Sequence, residues 1–189
     1  MVEENNINWH RLISAITFYT GKGYEYIDLN WTIDEKTSEI TKPIGKKDYF
    51  IEKKALVASG EQSFLQMIKD GNLKPGKYCG ITPCFRDEDV IDDLHQRYFM
   101  KVELIDYLKI GSYEERNCSL NKIISDAKEF YSNFLKIQVA EIQDEMYDIE
   151  DVKNKIELGS YGTRSYKDIN WVFGTGLAEP RLSKVLKSQ

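Results

Sequence analysis

Arg86, Glu88 and Phe99 are the side chains that could hold a nucleotide between them. They lie in and around YCGITPCFRDEDVIDDLHQRYFMKVELIDY, Tyr78–Tyr107, where two segments of mixed apolar and β-favouring residues, Lys77–Phe85 and Arg97–Leu108, flank an acidic stretch, Asp87–Asp93. Strand, loop and antiparallel strand is the simplest reading. Arg86, where the first strand ends, offers a planar, permanently charged fork to a phosphate or carboxylate. Glu88, two residues on, points to the same side of an extended chain. Phe99, on the returning strand, can lie over a flat ring. A cation, an acceptor and an aromatic plane on one hairpin suit a nucleotide. A surface hairpin with a salt-bridged Arg/Glu face accounts for the same residues without one.

FRDE, a polar loop and then aromatic-x-x-x-Glu (Phe99 to Glu103) resemble motif 2 of the class II aminoacyl-tRNA synthetases. The resemblance implies that Arg86 holds the α-phosphate of ATP and the amino-acid carboxylate. It further implies that Glu88 contacts the adenine amino group and that Phe99 stacks on adenine. Ser59-Gly60-Glu61 looks like the loop that faces the amino acid in this family, where Glu61 would receive the α-ammonium by a charge-assisted hydrogen bond. The same residues also make a helix cap, with Ser59 as N-cap and Gln62 at N3. Glu157-x-x-Ser160, with Glu150 seven positions earlier, resembles the family's element for the Mg²⁺ that bridges the ATP phosphates. Carboxylate oxygens are the hard ligands this ion prefers, usually one or two of them with water and substrate phosphate. WVFGTGLAEPRL, Trp171–Leu182, resembles motif 3, a glycine-rich strand-to-helix turn ending in an arginine. There Gly174 and Gly176 would let the backbone approach adenine, and Arg181 would hold the γ-phosphate across the ring. Ala178 stands where a third glycine is usual, and Pro180 precedes the arginine. The dinucleotide-binding glycine fingerprint does not fit this segment.

These residues need elements to position them. Trp9, Leu12, Ile13, Ile16 and Tyr19 recur at helical spacing up to Gly21-Lys22-Gly23, and Tyr24–Ile33 then alternates like one strand. Helix, glycine turn and strand resemble motif 1, which builds the synthetase dimer interface, although Asn30 occupies the usual proline position. A homodimer through residues 9–33 follows from that resemblance. Asp34–Lys54 reads as a polar connection with a short strand at Tyr49–Ile51, and Glu61–Lys69 as a helix stopping near Gly71. Pro75-Gly76 turns into the hairpin. Gly111–Tyr113 is a turn, and the stripe Leu120, Ile123, Ile124, Ala127, Phe130, Tyr131, Phe134, Leu135 predicts a long core helix over Ser119–Ala140. Ile142–Asp151 is an acidic extended segment, and Lys155–Tyr161 a strand.

The chain of 189 residues is expected to form a single catalytic domain of the α+β class, an antiparallel β-sheet flanked by helices, over residues 1–189. At 41% hydrophobic residues it is globular, and its net charge of −5 gives no overall footprint for nucleic acid. Three cysteines without metal-ligand spacing suit a reduced, cytoplasmic protein, and neither a signal peptide nor an apolar spanning run is visible. The resemblance implies ATP and Mg²⁺ as cofactors and formation of an aminoacyl adenylate. The motifs are expected to stand without an anticodon-binding domain, and the acceptor is then expected to be a tRNA acceptor stem alone or a carrier or other protein. The alternative is a catalytically silent, dimeric synthetase-like module that binds a nucleotide or a protein partner. FRDED points to the aspartyl, asparaginyl and lysyl branch, whereas Ser-Gly-Glu points to the glycyl, prolyl, seryl and threonyl branch, so the amino acid stays open.

Overall fold

The computed structural model describes residues 7–92 and 94–189. Asp93, the end of the acidic stretch, lies outside them. Helix α1, Trp9–Gly21, is capped by Asn8, whose side chain accepts the Arg11 N–H at 3.0 Å. Its buried positions are Leu12, Ala15 and Tyr19, and Gly23 turns the chain at φ 93°. Strand β1, Glu25–Tyr26, pairs parallel with β5, Gly76–Phe85. The alternation over Tyr24–Ile33 does not make one strand. Leu29 packs where Gly80 of β5 has no side chain, 2.6 Å from where a Cβ would stand, and the chain leaves the ladder there. It re-enters a separate three-stranded sheet as β2, Thr32–Ile33, which pairs with β4, Lys54–Leu56, itself paired to β3, Phe50–Ile51. The short helix α2, Glu35–Ser38, sits inside the segment read as a connection.

Helix α3, Gly60–Lys69, opens on Ser59, whose hydroxyl accepts the Glu61 N–H at 3.3 Å, and Gln62 Oε1 accepts the Ala58 N–H at 2.8 Å. The expected cap is therefore present. β5 and β6, Tyr98–Leu108, form the predicted hairpin in antiparallel register, Cys84 opposite Phe99 and Gly80 opposite Glu103. Helix α4 runs Tyr113–Ser132, earlier at both ends than the apolar stripe suggested. Ser112 caps it by accepting the Glu115 N–H, while Glu115 accepts the Gly111 N–H at 2.6 Å. This reciprocal cap makes the segment read as a turn into a helix start. At the other end Asn133 Nδ2 donates to the carbonyls of Glu129 and Phe130, and the chain turns into β7, Ile137–Gln143. β8, Met146–Asp151, completes a hairpin through Glu145, which has φ 54°. β9, Glu157–Tyr166, and β10, Ile169–Glu179, follow, and α5, Arg181–Lys187, closes the described chain after Pro180.

The seven-stranded sheet runs β1-β5-β6-β10-β9-β8-β7, antiparallel throughout except at β1. Helices α1 and α4 cover one face through Leu12, Tyr19, Ile123, Phe130 and Tyr131 against Val102, Leu104, Val172 and Leu177. Helix α3 covers part of the opposite face through Phe64, Leu65 and Ile68 against Ile105, Trp171 and Phe173. Each fully buried side chain of this size contributes roughly 1.5–3 kcal/mol, so packing rather than local propensity holds the layers together. The part of that second face not covered by α3 is open, and the candidate site lies there.

Candidate functional site

Alternation along three strands supplies the floor. On β6, Phe99, Lys101 and Glu103 turn to the open face while Val102 and Leu104 turn to the helices. On β10, Phe173 and Thr175 do the same, and a β-bulge between Thr175 and Leu177 shifts the phase, so that Leu177 enters the core and Ala178 reaches the cleft. β9 adds Glu157, Ser160 and Arg164, and the start of α3 adds Ser59 and Glu61. The resulting cleft has a volume of about 390 Å³.

Arg86 lies where the hairpin reading put it. Its Nε donates to the Ala58 carbonyl at 3.2 Å, and its guanidinium carbon stands 4.9 Å from the centre of the Phe99 ring. It forms no ion pair with a carboxylate among the described residues. The alternative of a salt-bridged Arg/Glu hairpin face is thereby set aside: Glu88 lines the cleft without a bond to Arg86. Arg181 reaches the cleft from the start of α5. One of its terminal nitrogens, Nη1, donates to Glu157 Oε1 at 3.0 Å, and the other, Nη2, donates to the Leu94 carbonyl at 3.4 Å. One guanidinium thus ties β9 to the hairpin loop.

The deep end holds two buried carboxylates, both occupied. Glu103, fully buried, accepts from Lys101 Nζ at 3.0 Å and from the Ser59 hydroxyl at 3.0 Å. Glu61, also buried, accepts from Trp171 Nε1 at 2.6 Å through one oxygen and from Arg164 Nη1 at 2.7 Å through the other. Arg164 is stacked on Phe173, 4.3 Å from the ring centre. Burial pushes the Glu61 carboxyl up from its ordinary value, and the Arg164 charge pulls the other way. Neither Lys101 nor Arg164 was singled out in the sequence. Lys101 alternates with Phe99 and Glu103 and could have been found by that parity; Arg164 is placed only by the pairing of β9 with β10, where it stands opposite Trp171.

Three expected residues stand differently. Gly174 and Gly176 lie inside β10, not in a strand-to-helix turn, and do not line the cleft. A Cβ at Gly174 would stand 2.6 Å from Ile123 Cγ2, and one at Gly176 would stand 2.8 Å from Tyr19 Cε2. Their smallness serves the approach of α4 and α1 to the sheet. Glu150 faces Glu157 across the β8–β9 ladder, but its carboxylate takes the Gln138 amide at 2.9 Å, and it too is absent from the cleft wall. Asp148 pairs with Ser160 across the ladder, and burial raises its carboxyl above the ordinary range against the hydrogen bond from Ser160. No group of three His, Cys, Asp or Glu side chains that could hold a metal occurs among the described residues. The fit to Mg²⁺ is therefore limited to Glu157 and Ser160. Glu157 Oε1 already takes the Ser160 hydroxyl at 3.3 Å and Arg181 Nη1 at 3.0 Å, which leaves Glu157 Oε2 and the Ser160 lone pairs for an ion brought in with phosphates and water.

A segment read only as a connection closes one side of the mouth. Thr41–Asp48 lines the cleft, held to the hairpin loop by Lys46 Nζ with Asp89 at 2.7 Å and by the Lys47 N–H with Asp87 at 3.2 Å. Lys42 pairs with Asp48 at 2.6 Å.

The fold is like that of the class II aminoacyl-tRNA synthetase cores, the architecture that the motif order implied. Three solved structures carry the likeness. A cytoplasmic serine-tRNA ligase from Naegleria fowleri in complex with AMP superposes at a TM-score of 0.72, with 19% identity, over 91% of this chain and 46% of its own. Seryl-tRNA synthetase from Pyrococcus horikoshii complexed with ATP gives 0.72 and 17%, over 94% of this chain and 49% of its own. The pyrrolysyl-tRNA synthetase PylSc of Desulfitobacterium hafniense gives 0.70 and 15%, over all of this chain and 72% of its own. This chain thus spans about half the length of the two seryl enzymes. No protein-family model and no curated protein matches it by sequence. Among the described residues, no helix is long and apolar enough to cross a membrane.

Proposed function

We propose that this chain is an adenylate-forming ligase that activates a carboxylic acid of amino-acid size with ATP and passes the acyl group to an acceptor. The observation that carries the proposal is Arg86: a cation in the cleft wall with no carboxylate partner among the described residues, stacked against Phe99 and flanked by Glu88. A guanidinium left unpaired beside an aromatic face is what an incoming phosphate and carboxylate require.

In the proposed reaction a carboxylate oxygen of the acid attacks the α-phosphorus of ATP. The bond from that phosphorus to the bridging oxygen breaks, and pyrophosphate leaves with the electron pair. Arg86 holds the carboxylate and the α-phosphate against each other and takes up the negative charge gathering on the phosphoryl oxygens. Glu88 and Phe99 hold the adenine by its amino edge and by its face, and Arg181 holds the terminal phosphate. Glu157 and Ser160 would carry Mg²⁺, which supplies charge neutralisation to the phosphates when bound. Catalysis is by positioning and electrostatics, without a protein nucleophile.

The acceptor is the terminal nucleotide of a tRNA acceptor stem or an amine or thiol of a carrier protein. The working unit is a homodimer through residues 9–33, in the cytoplasm. The exposed Trp9 and Ile13 on α1 and the exposed Tyr26 on β1, the edge of the seven-stranded sheet, support that interface. The test is ATP–pyrophosphate exchange with wild type and Arg86→Ala. Loss of one transition-state donor costs roughly 10²–10³-fold, and exchange is expected to fall by that factor. Exchange in Arg86→Ala within tenfold of wild type would overturn the assignment, and MgATP binding without exchange in the wild type would favour a silent nucleotide-binding module.

A further inference from the structure

The deep end of the cleft says something about the acid itself. An α-ammonium group entering this end is best received by a carboxylate, because a buried charge without a counter-charge is costly even when hydrogen-bonded. Every carboxylate there already has a cation. Glu61 has Arg164 at 2.7 Å, with its second oxygen on Trp171. Glu103 has Lys101 at 3.0 Å, with its other bond from Ser59. Glu157, further along the wall, has Arg181 at 3.0 Å. Among the described residues, the cleft-lining carboxylates without an ion pair are Asp87 and Glu88, which stand on the hairpin loop at the mouth.

The Arg164 side chain keeps 35% exposure, but its head is held from two sides: the guanidinium lies on the Phe173 ring, 4.3 Å from the centroid, and pairs with Glu61, while its backbone stands opposite Trp171 in the β9–β10 ladder. An ammonium that displaced it from Glu61 would forfeit that ion pair and enter beside Lys101, also positive, whereas a hydrogen, hydroxyl or keto group needs no carboxylate. At the deep end Lys101 and Arg164 are matched one to one by Glu103 and Glu61, so neither carboxylate is left over for a further cation.

We infer that the acid activated at this site carries no free ammonium group beside its carboxylate: Arg164 occupies, from within the chain, the position such a group would take. The substrate class is a small carboxylic acid with hydrogen, hydroxyl or a keto group at the α-carbon. This inference rests on the adenylate-forming reading above.

The experiment is ATP–pyrophosphate exchange with the twenty amino acids and, in parallel, with their des-amino and 2-hydroxy counterparts. It is run on wild type, Arg164→Gln and Arg164→Lys, each first checked for a cooperative thermal transition. In the wild type, exchange with a des-amino or 2-hydroxy acid is expected to exceed that with the matching amino acid at least tenfold. Arg164→Gln frees one oxygen of Glu61 and is expected to shift the ratio at least tenfold towards the amino acid. Arg164→Lys keeps a cation against Glu61 and keeps the wild-type preference, which separates the charge from a general loss of packing. A wild type that prefers an amino acid over both counterparts overturns the inference and leaves adenylation standing. Exchange with no acid at all, with MgATP still bound, removes the adenylation reading and the inference with it.

Discussion

Replacing Gly174 by alanine separates two roles for the glycines of β10. If their purpose is to bring backbone close to a nucleotide, the substitution weakens MgATP binding. The packing says otherwise. The new Cβ would stand 2.6 Å from Ile123 Cγ2 and 2.7 Å from Tyr161 Cδ1, closer than carbon atoms tolerate. Ile123 and Tyr161 are both fully buried, so neither can swing into solvent, and α4 has to move off the sheet by some tenths of an ångström. Overpacking of this kind costs about 1–3 kcal/mol. For a chain of this length, each 1 kcal/mol lowers Tm by roughly 2–4 °C, so a fall of roughly 2–12 °C is expected. Calorimetry or a fluorescence melt reads it, alongside MgATP titration of the folded variant. The dissociation constant for MgATP is expected to stay within about twofold, an energy difference of about 0.4 kcal/mol. In an Ile123→Ala background, the same change at Gly174 is expected to cost less, because the contacting methyl is gone. An unchanged Tm together with MgATP binding weakened tenfold would refute the argument and return the glycines to the nucleotide.

Three further predictions concern charge, thiols and assembly. The Asp148 carboxyl is raised above its ordinary 3.8, chiefly by burial, so folding favours its protonated form. Its stabilising contribution is complete below 3.8 and is lost as pH rises through the folded value. Asp148→Asn is therefore expected to gain stability relative to wild type on going from pH 4 to pH 7 in urea unfolding, and a relative loss over that range would contradict it. Burial pushes the Cys79 and Cys84 thiols up to about 12, whereas Cys118 is exposed. An aromatic disulfide reagent at pH 8 should accordingly label one thiol quickly in the native protein and three after denaturation. Light scattering should give twice 22.0 kDa for the wild type and a single chain for Trp9→Glu/Ile13→Glu; a wild type that is monomeric at micromolar concentration removes the dimer proposal.

Much of the architecture was legible because local patterns and tertiary demands agree along most of the chain. Helices α1 and α3 carry their apolar stripes and caps in the sequence, and the β5–β6 hairpin announces itself by two β-favouring runs around a charged loop. Arg86, Glu88 and Phe99 line one cleft because Arg86 and Glu88 follow directly on the end of β5 and Phe99 lies at the start of β6, so short-range spacing was enough to group them. Where the pattern misled, a distant residue decided. The alternation over Tyr24–Ile33 continues past the point where Leu29 meets Gly80, and that contact, not any local signal, splits it between two sheets. The helix predicted over Ser119–Ala140 takes in Ile137–Ala140, yet Asn133 caps the helix and Ile137–Ala140 pair with β8.

The sequence by itself determined the order of the motifs, the strand parity that sends Phe99, Lys101 and Glu103 to one side, and the residue types able to meet a phosphate and a carboxylate. Tertiary structure alone decided which of those charges are spent internally. Glu61 and Arg164 are 103 positions apart and meet at 2.7 Å because β9 and α3 converge on one face. Glu150 and Glu157 share a ladder, yet the Gln138 amide holds Glu150 out of the cleft wall. Gly174 and Gly176 face helices that begin at Trp9 and Tyr113. Pairing between charges depends on distance in space and on what else competes for each oxygen, and neither quantity is carried by spacing along the chain.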